Sequence, residues 1–183
     1  MRSKAIVLLL LTLTAATSFS QTFMIVAREI RDGEELSRPF ASQEGMIEGM
    51  FDLGFVSFDT GLYDPAVDWR FLDFQEPLDI ARRGLAQYLL AADVRSYTEP
   101  RNQATAESAN AQVPPEPALK IRVSVRYYLF DVRASVALGE GEIVLDNDSA
   151  DKAGLTYSEF LHSAGRKVAA RGIDLMRATT GKP

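Results

Sequence analysis

From Ile121 to Leu129 the side chains alternate without a break, with Ile121, Val123, Val125, Tyr127 and Leu129 on odd positions and Arg122, Ser124 and Arg126 on even ones. A period of two is that of a half-buried strand. The apolar phase then moves to Val132, Ala134, Val136 and Leu138. Strand side chains alternate strictly, so a one-residue slip demands a turn or bulge near Phe130 to Arg133. Glu140 to Leu145 continues or adds a strand, with Gly139 and Gly141 expected as a second bend. A hairpin therefore dominates the later half of the chain.

The earlier half alternates strand with helix. Phe23 to Ala27 is a short apolar run followed by the turn signal Asp32-Gly33, and reads as a buried first strand. A helix is expected next, with Met46, Ile47, Met50 and Phe51 on one face, Ser42 as its cap and Gly54 just past its end. Gly45 and Gly49 weaken that helix or permit close approach to a neighbouring backbone. Phe55 to Asp59 reads as a second strand, and Leu62 to Glu76 as a loop without a period. Pro77 is expected to open a helix whose stripe is Ala81, Leu85, Tyr88, Leu89 and Ala92, turning into a strand over Asp93 to Thr98.

Glu99 to Pro117 is rich in Ala, Gln, Asn, Ser and Pro and reads as an extended or mobile loop. The last element is a long helix opened by the capping box Thr156-Tyr157-Ser158-Glu159. Its apolar face carries Tyr157, Phe160, Leu161, Ala164, Val168 and Leu175; it ends near Ala178, with residues 179–183 frayed. The order β-α-β-α-β, loop, β-β-α predicts a single α/β domain over residues 21–178, a mixed sheet packed with about three helices.

The chain opens with Met1-Arg2-Ser3-Lys4, an apolar run from Ala5 to Leu13, then small residues ending at Ser18-Phe19-Ser20. That order is a secretory signal peptide, residues 1–20, with cleavage expected between Ser20 and Gln21 and a periplasmic destination. The apolar core is too short for a span of roughly 20 residues, so no membrane span is expected after its removal. With no cysteine there is no lipid anchor, disulfide or thiolate metal site. The formal charge of -5 argues against nucleic acid, which needs a basic surface.

Candidate chemistry is sparse. Asp59-Thr60-Gly61 follows a strand and has the form of an aspartic protease loop, but no second copy supplies the partner carboxylate, and the same residues are ordinary turn chemistry. His162 is the only histidine, with Ser158 four residues earlier, and lacks the elbow of a serine hydrolase. One histidine and no cysteine exclude a histidine-based zinc site. Asp59, Asp64, Asp68, Asp73 and Asp79, and separately Asp146, Asp148 and Asp151, offer oxygen ligands without an EF-hand register. No catalytic, cofactor or metal residues are assigned. Trp69, Phe71, Leu72 and Phe74 stand together in a loop, either as a docking surface for a partner or as a lid folded onto the core.

The stretch Leu85 to Val94, the hairpin Lys120 to Leu145 and the final helix resemble the α/β domain of bacterial envelope accessory proteins. That group includes the amino-terminal domain of TolB, the penicillin-binding-protein activator lipoproteins and the curli-secretion lipoproteins. This chain departs from it in having Leu90-Ala91-Ala92-Asp93 where the group has Gly-Ala-Asp, and in lacking the lipid-bearing cysteine. The resemblance implies a non-catalytic periplasmic protein that binds another envelope protein or helps assemble an envelope complex, with no cofactor. A small hydrolase using Asp59 or His162, and an apolar-ligand module near Trp69, are the alternatives.

Overall fold

The computed structural model describes residues 21–38, 40–61, 67–100, 119–148 and 155–181. The signal segment, the greater part of the Ala/Gln/Pro-rich stretch, Asp64 and Asp151 lie outside them. Strand β1 (Thr22–Arg31) turns through Asp32 and Gly33, at φ of 50° and 91°, into the two-residue β2 (Glu34–Glu35). Two positive φ values in a row make the turn that matches strand twist, which is why Asp-Gly serves there. Helix α1 (Ala41–Asp52) leads to β3 (Val56–Phe58), and helix α2 (Gln75–Arg83) to β4 (Tyr88–Pro100). The chain continues through β5 (Leu119–Asp131), β6 (Val136–Asp146) and helix α3 (Tyr157–Thr180).

The six strands form one mixed sheet in the order β2-β1-β4-β5-β6, with β3 beside the first residues of β1. β1 runs parallel to both β3 and β4, whereas the β4/β5 and β5/β6 pairs are antiparallel. Alternation then sorts the side chains into two cores. Phe23, Ile25, Tyr88, Leu90, Val125 and Leu129 face α1 and α3, which contribute Met46, Met50, Phe160 and Val168. Met24, Val26, Leu89, Ala91, Tyr128 and Phe130 face the opposite way, against Phe74 and the α2 residues Leu78 and Ala81.

Covering both faces explains one correction to the sequence reading. Tyr88, Leu89 and Ala92 belong to β4 and not to a helical stripe; α2 ends at Arg83, and Leu85 is an exposed turn residue with φ of 61°. A strand buried on both sides is a continuous apolar run, which carries no period of its own. Glu99, expected in a loop, likewise lies within β4.

A second correction concerns the start of α1. Its N-cap is Phe40, which has no side-chain acceptor, and Ser42 lies buried inside the first turn. The cap comes from across the fold: the Glu29 carboxylate on β1 accepts the Ser42 backbone N–H at 2.7 Å. Gly54 stands past the helix end at φ of 85°, as the spacing predicts, whereas Phe51 points outward instead of into the core.

Two glycine pairs carry close contacts. A Cβ on Gly45 would fall 2.0 Å from the His162 carbonyl oxygen, and one on Gly165 2.0 Å from that of Ser42, so α1 and α3 touch backbone to backbone. The other pair, Gly139 and Gly141, makes no bend, since β6 runs unbroken past both. Gly141 instead makes room for the Tyr127 ring, whose Oη would lie 2.3 Å from an added Cβ.

The slip in the hairpin has two components. Residues 132–135 form the turn, with Ser135 at φ of 55°, and Leu129 pairs with Gly139 while Phe130 pairs with Ala137, leaving Leu138 as a bulge. The capping box on α3 is present, Thr156 Oγ1 accepting from the Glu159 N–H. The helix runs two residues beyond Ala178 to Thr180, and its buried face also includes Ala169, Gly172, Ile173 and Met176.

Candidate partner-binding surface

Ahead of α2 the chain makes a tight turn. Asp68 and Asp73 bridge antiparallel, the Asp68 carboxylate accepts from the Arg70 N–H at 3.1 Å, and the Asp73 carboxylate accepts from the Gln75 N–H at 3.0 Å. Short acidic side chains bonding the backbone two residues on are what fold such turns locally. Leu72 sits at φ of 53°, a conformation that costs a branched residue free energy and that only a well-braced turn sustains.

The brace is aromatic. Phe74 is 4% exposed, its ring 4.8 Å from that of Phe130 and 5.4 Å from that of Tyr128. Trp69 meets Phe74 edge-on at 5.6 Å, and the Arg28 guanidinium lies 5.2 Å from the indole centre. Arg28 is itself held by the Asp93 carboxylate at 3.1 Å, which also pairs with Arg95 at 3.0 Å. Phe71 and Leu72, carried at the tip, are 78% and 42% exposed. The four residues singled out in the sequence therefore divide: Phe74 is core, Trp69 is half-buried against it, and Phe71 and Leu72 face solvent.

Asp59 is exposed and accepts from Gln43 Nε2 at 2.9 Å and from the Gly61 N–H at 3.0 Å, the latter closing a turn. His162 Nε2 lies 2.8 Å from a Glu48 carboxylate oxygen that Arg166 also approaches at 3.2 Å. Among the described residues no hydrogen bond joins Ser158 to His162. Asp79 pairs with Arg82, Asp146 accepts from the Asp148 N–H, and Asp148 pairs with Lys120. No group of three or more His, Asp or Glu among the described residues is placed to hold a metal ion.

Sequence reasoning missed the buried polar residues. Glu29 is 3% exposed, and burial pushes its carboxyl above the usual range despite the opposing hydrogen bond from the Ser42 N–H. Its signal was its parity, since it shares the odd phase of Phe23, Ile25 and Ala27. Ser96 and the Tyr157 hydroxyl are 2.7 Å apart, and the Arg31 guanidinium lies 4.3 Å from the Tyr157 ring centre, tying β1 and β4 to the start of α3. Burial raises the Tyr157 phenol as well.

Helices on both faces of a mixed sheet define an α/β sandwich. No protein-family model and no curated protein sequence matches the chain. Solved structures similar to it include the LpoB C-terminal domain from Salmonella enterica, at 13% identity and TM-score 0.42, covering 73% of this chain and 90% of that one. TolB from Acinetobacter baumannii is similar at 15% identity and TM-score 0.43, covering 90% of this chain and 29% of TolB. The PelC dodecamer from Paraburkholderia phytofirmans is similar at 11% identity and TM-score 0.46, covering 85% and 87%. TolB, named in the resemblance drawn from the sequence, is among these structures. No helix among the described residues is long and apolar enough to cross a membrane.

Proposed function

We propose that the chain is a non-catalytic periplasmic accessory protein, exported through residues 1–20, that binds another envelope protein with the turn carrying Phe71 and Leu72. The observation that supports this reading is the display of two large apolar side chains on a turn that is otherwise pinned by its own aromatic core. Loose apolar loops collapse onto the protein; a braced one keeps its apolar tip in water at a cost that a partner's burial recovers. Trp69 and Phe74 act as the support and Phe71 and Leu72 as the contact. The engagement of Asp59 by Gln43 and Gly61, and of His162 by Glu48, whose carboxylate also pairs with Arg166, fits a structural role for each.

The test places a photo-crosslinking amino acid at position 71 in the living cell, with position 174 on the far helix as control. One discrete adduct with an envelope protein is expected at 71, lost when Leu72→Asp is added. The same adduct at both positions, or none at 71, would refute it.

A further inference from the structure

The two edges of the sheet differ in kind. On one side the outermost strands, β2 and β3, have only two and three residues, whereas on the other β6 runs for eleven, Val136–Asp146. Its bulge at Leu138 lies near the hairpin turn, so Gly139 to Asp146 pair with β5 in regular register. Edges are commonly blunted by shortness, lysine or proline, and β6 has none of these.

The ladders fix which backbone groups this edge presents. The Val132 N–H donates to the Gln87 carbonyl, and the Asn147 N–H to that of Ile121. Bonded residues alternate along an antiparallel pair, so the even-numbered residues of β5 bond β4 and the odd-numbered ones bond β6. Gly139, Gly141, Ile143 and Leu145 are thereby used, and Glu140, Glu142, Val144 and Asp146 turn both N–H and C=O outward. All four are exposed, and no strand among the described residues lies beside them.

Their side chains select what can pair there. β5 sets Arg126 opposite Glu142 and Arg122 opposite Asp146, the charge pattern that a strand on the open side would repeat. Glu142 accepts from the Ser124 hydroxyl and Asp146 from the Asp148 N–H, and no ion pair among the described residues involves Glu140, Glu142 or Asp146. On the other face Ile143 and Leu145 are partly buried and apolar. A second copy does not fit. About a two-fold axis each strand keeps its faces, and centring β6 against itself on any residue from Glu140 to Val144 sets carboxylate opposite carboxylate, which destabilises the pair.

We propose that β6 is extended by an antiparallel strand of another protein, with basic side chains opposite Glu140, Glu142 and Asp146 and apolar ones opposite Ile143 and Leu145. Backbone hydrogen bonds supply the affinity and the alternating side chains choose the sequence. The edge is separate from the Phe71–Leu72 turn and does not depend on the reading of that turn.

The experiment titrates the full mature chain with the capped peptide Lys-Ile-Thr-Val-Lys-Val-Lys, whose lysines would face Asp146, Glu142 and Glu140, followed by amide chemical shifts and hydrogen exchange. Beside it stand the same peptide with Glu for Lys, and one methylated at the amide nitrogens of Thr and the central Lys, which would face β6. The lysine peptide is expected to bind saturably, to shift residues 139–147 and to slow exchange of the Glu142 and Val144 N–H groups. The acidic peptide should bind about tenfold more weakly or worse, because three cross-strand charge pairs change sign, and the methylated one should not bind. Val144→Pro removes an outward donor that β5 does not use and is expected to weaken the lysine peptide about tenfold. Glu140→Lys with Glu142→Lys is expected to reverse the preference toward the acidic peptide. Equal binding of both charges, binding indifferent to methylation, shifts centred on Phe71, protection of the same amides without any peptide, or no saturable binding would each overturn the proposal.

Discussion

Replacing Gly165 by alanine tests the contact on which the α1–α3 layer is built. On an ordinary helix the change is favourable by about 1 kcal/mol, since alanine loses less backbone entropy. Here the added Cβ would lie 2.0 Å from the Ser42 carbonyl oxygen and 2.9 Å from the Met46 nitrogen, both backbone atoms that cannot swing aside. An ordinary contact needs about 1.4 Å more, so the helices have to part by roughly that amount along their whole crossing. A gap of even 0.5–1 Å forfeits about a quarter to a half of each dispersion contact, and overpacking of this kind costs about 1–3 kcal/mol or more. The propensity gain offsets only part of that. The expected net is a loss of about 1–2 kcal/mol, read as a midpoint lower by about 2–8 °C in thermal unfolding followed by circular dichroism. Gly172→Ala is the internal control, because its Cβ would meet the movable Leu90 methyls at 3.2 and 3.4 Å. It should be neutral or stabilising by up to about 1 kcal/mol. A Gly165→Ala protein as stable as its Gly172→Ala counterpart would refute the close-contact argument.

Glu29→Gln keeps an acceptor for the Ser42 N–H but removes the buried charge. The folded carboxyl titrates above its unfolded value, so the native state holds the proton more tightly, and this group's contribution to stability falls as pH rises from about 4.5 through the raised value. Relative to the parent, the variant should gain stability between acid and neutral pH, measured by urea unfolding at each pH; a difference that does not vary with pH would contradict the burial argument. Thr156→Ala removes the α3 cap and should cost about 1 kcal/mol in the same assay. Leu85→Gly relieves a left-handed residue that is 84% exposed and should stabilise by about 0.5–1 kcal/mol, whereas a loss would mean that the leucine packs.

Partner binding is expected to survive Phe71→Ala only weakly. In contrast, Phe74→Ala should reduce both binding and stability, the latter by about 3–5 kcal/mol, because its ring fills the α2-side core. Equal effects on stability would show that the two aromatics do not divide into support and contact.

Local rules carried much of the fold. Alternation over Ile121 to Leu129, the Asp32-Gly33 turn, the Thr156/Glu159 box and Gly54 all act within a few residues, so each is visible in the chain itself. The order of elements followed, and with it the α/β class. Tyr88 to Ala92 failed for the opposite reason: which faces of that strand are covered depends on α2 and α3, far away in sequence, and an apolar run covered twice has no period to read.

Tertiary structure alone decided the sites. Trp69, Phe71, Leu72 and Phe74 are equivalent in the sequence, and only the stacking of Phe74 on Tyr128 and Phe130 sends two of them inward and two out. Glu29 became the cap of α1 because the sheet carries it past a helix whose own cap position holds Phe40. The sequence determined the local conformations, whose energies arise between neighbours; contacts between distant residues arise only once the chain has closed on itself.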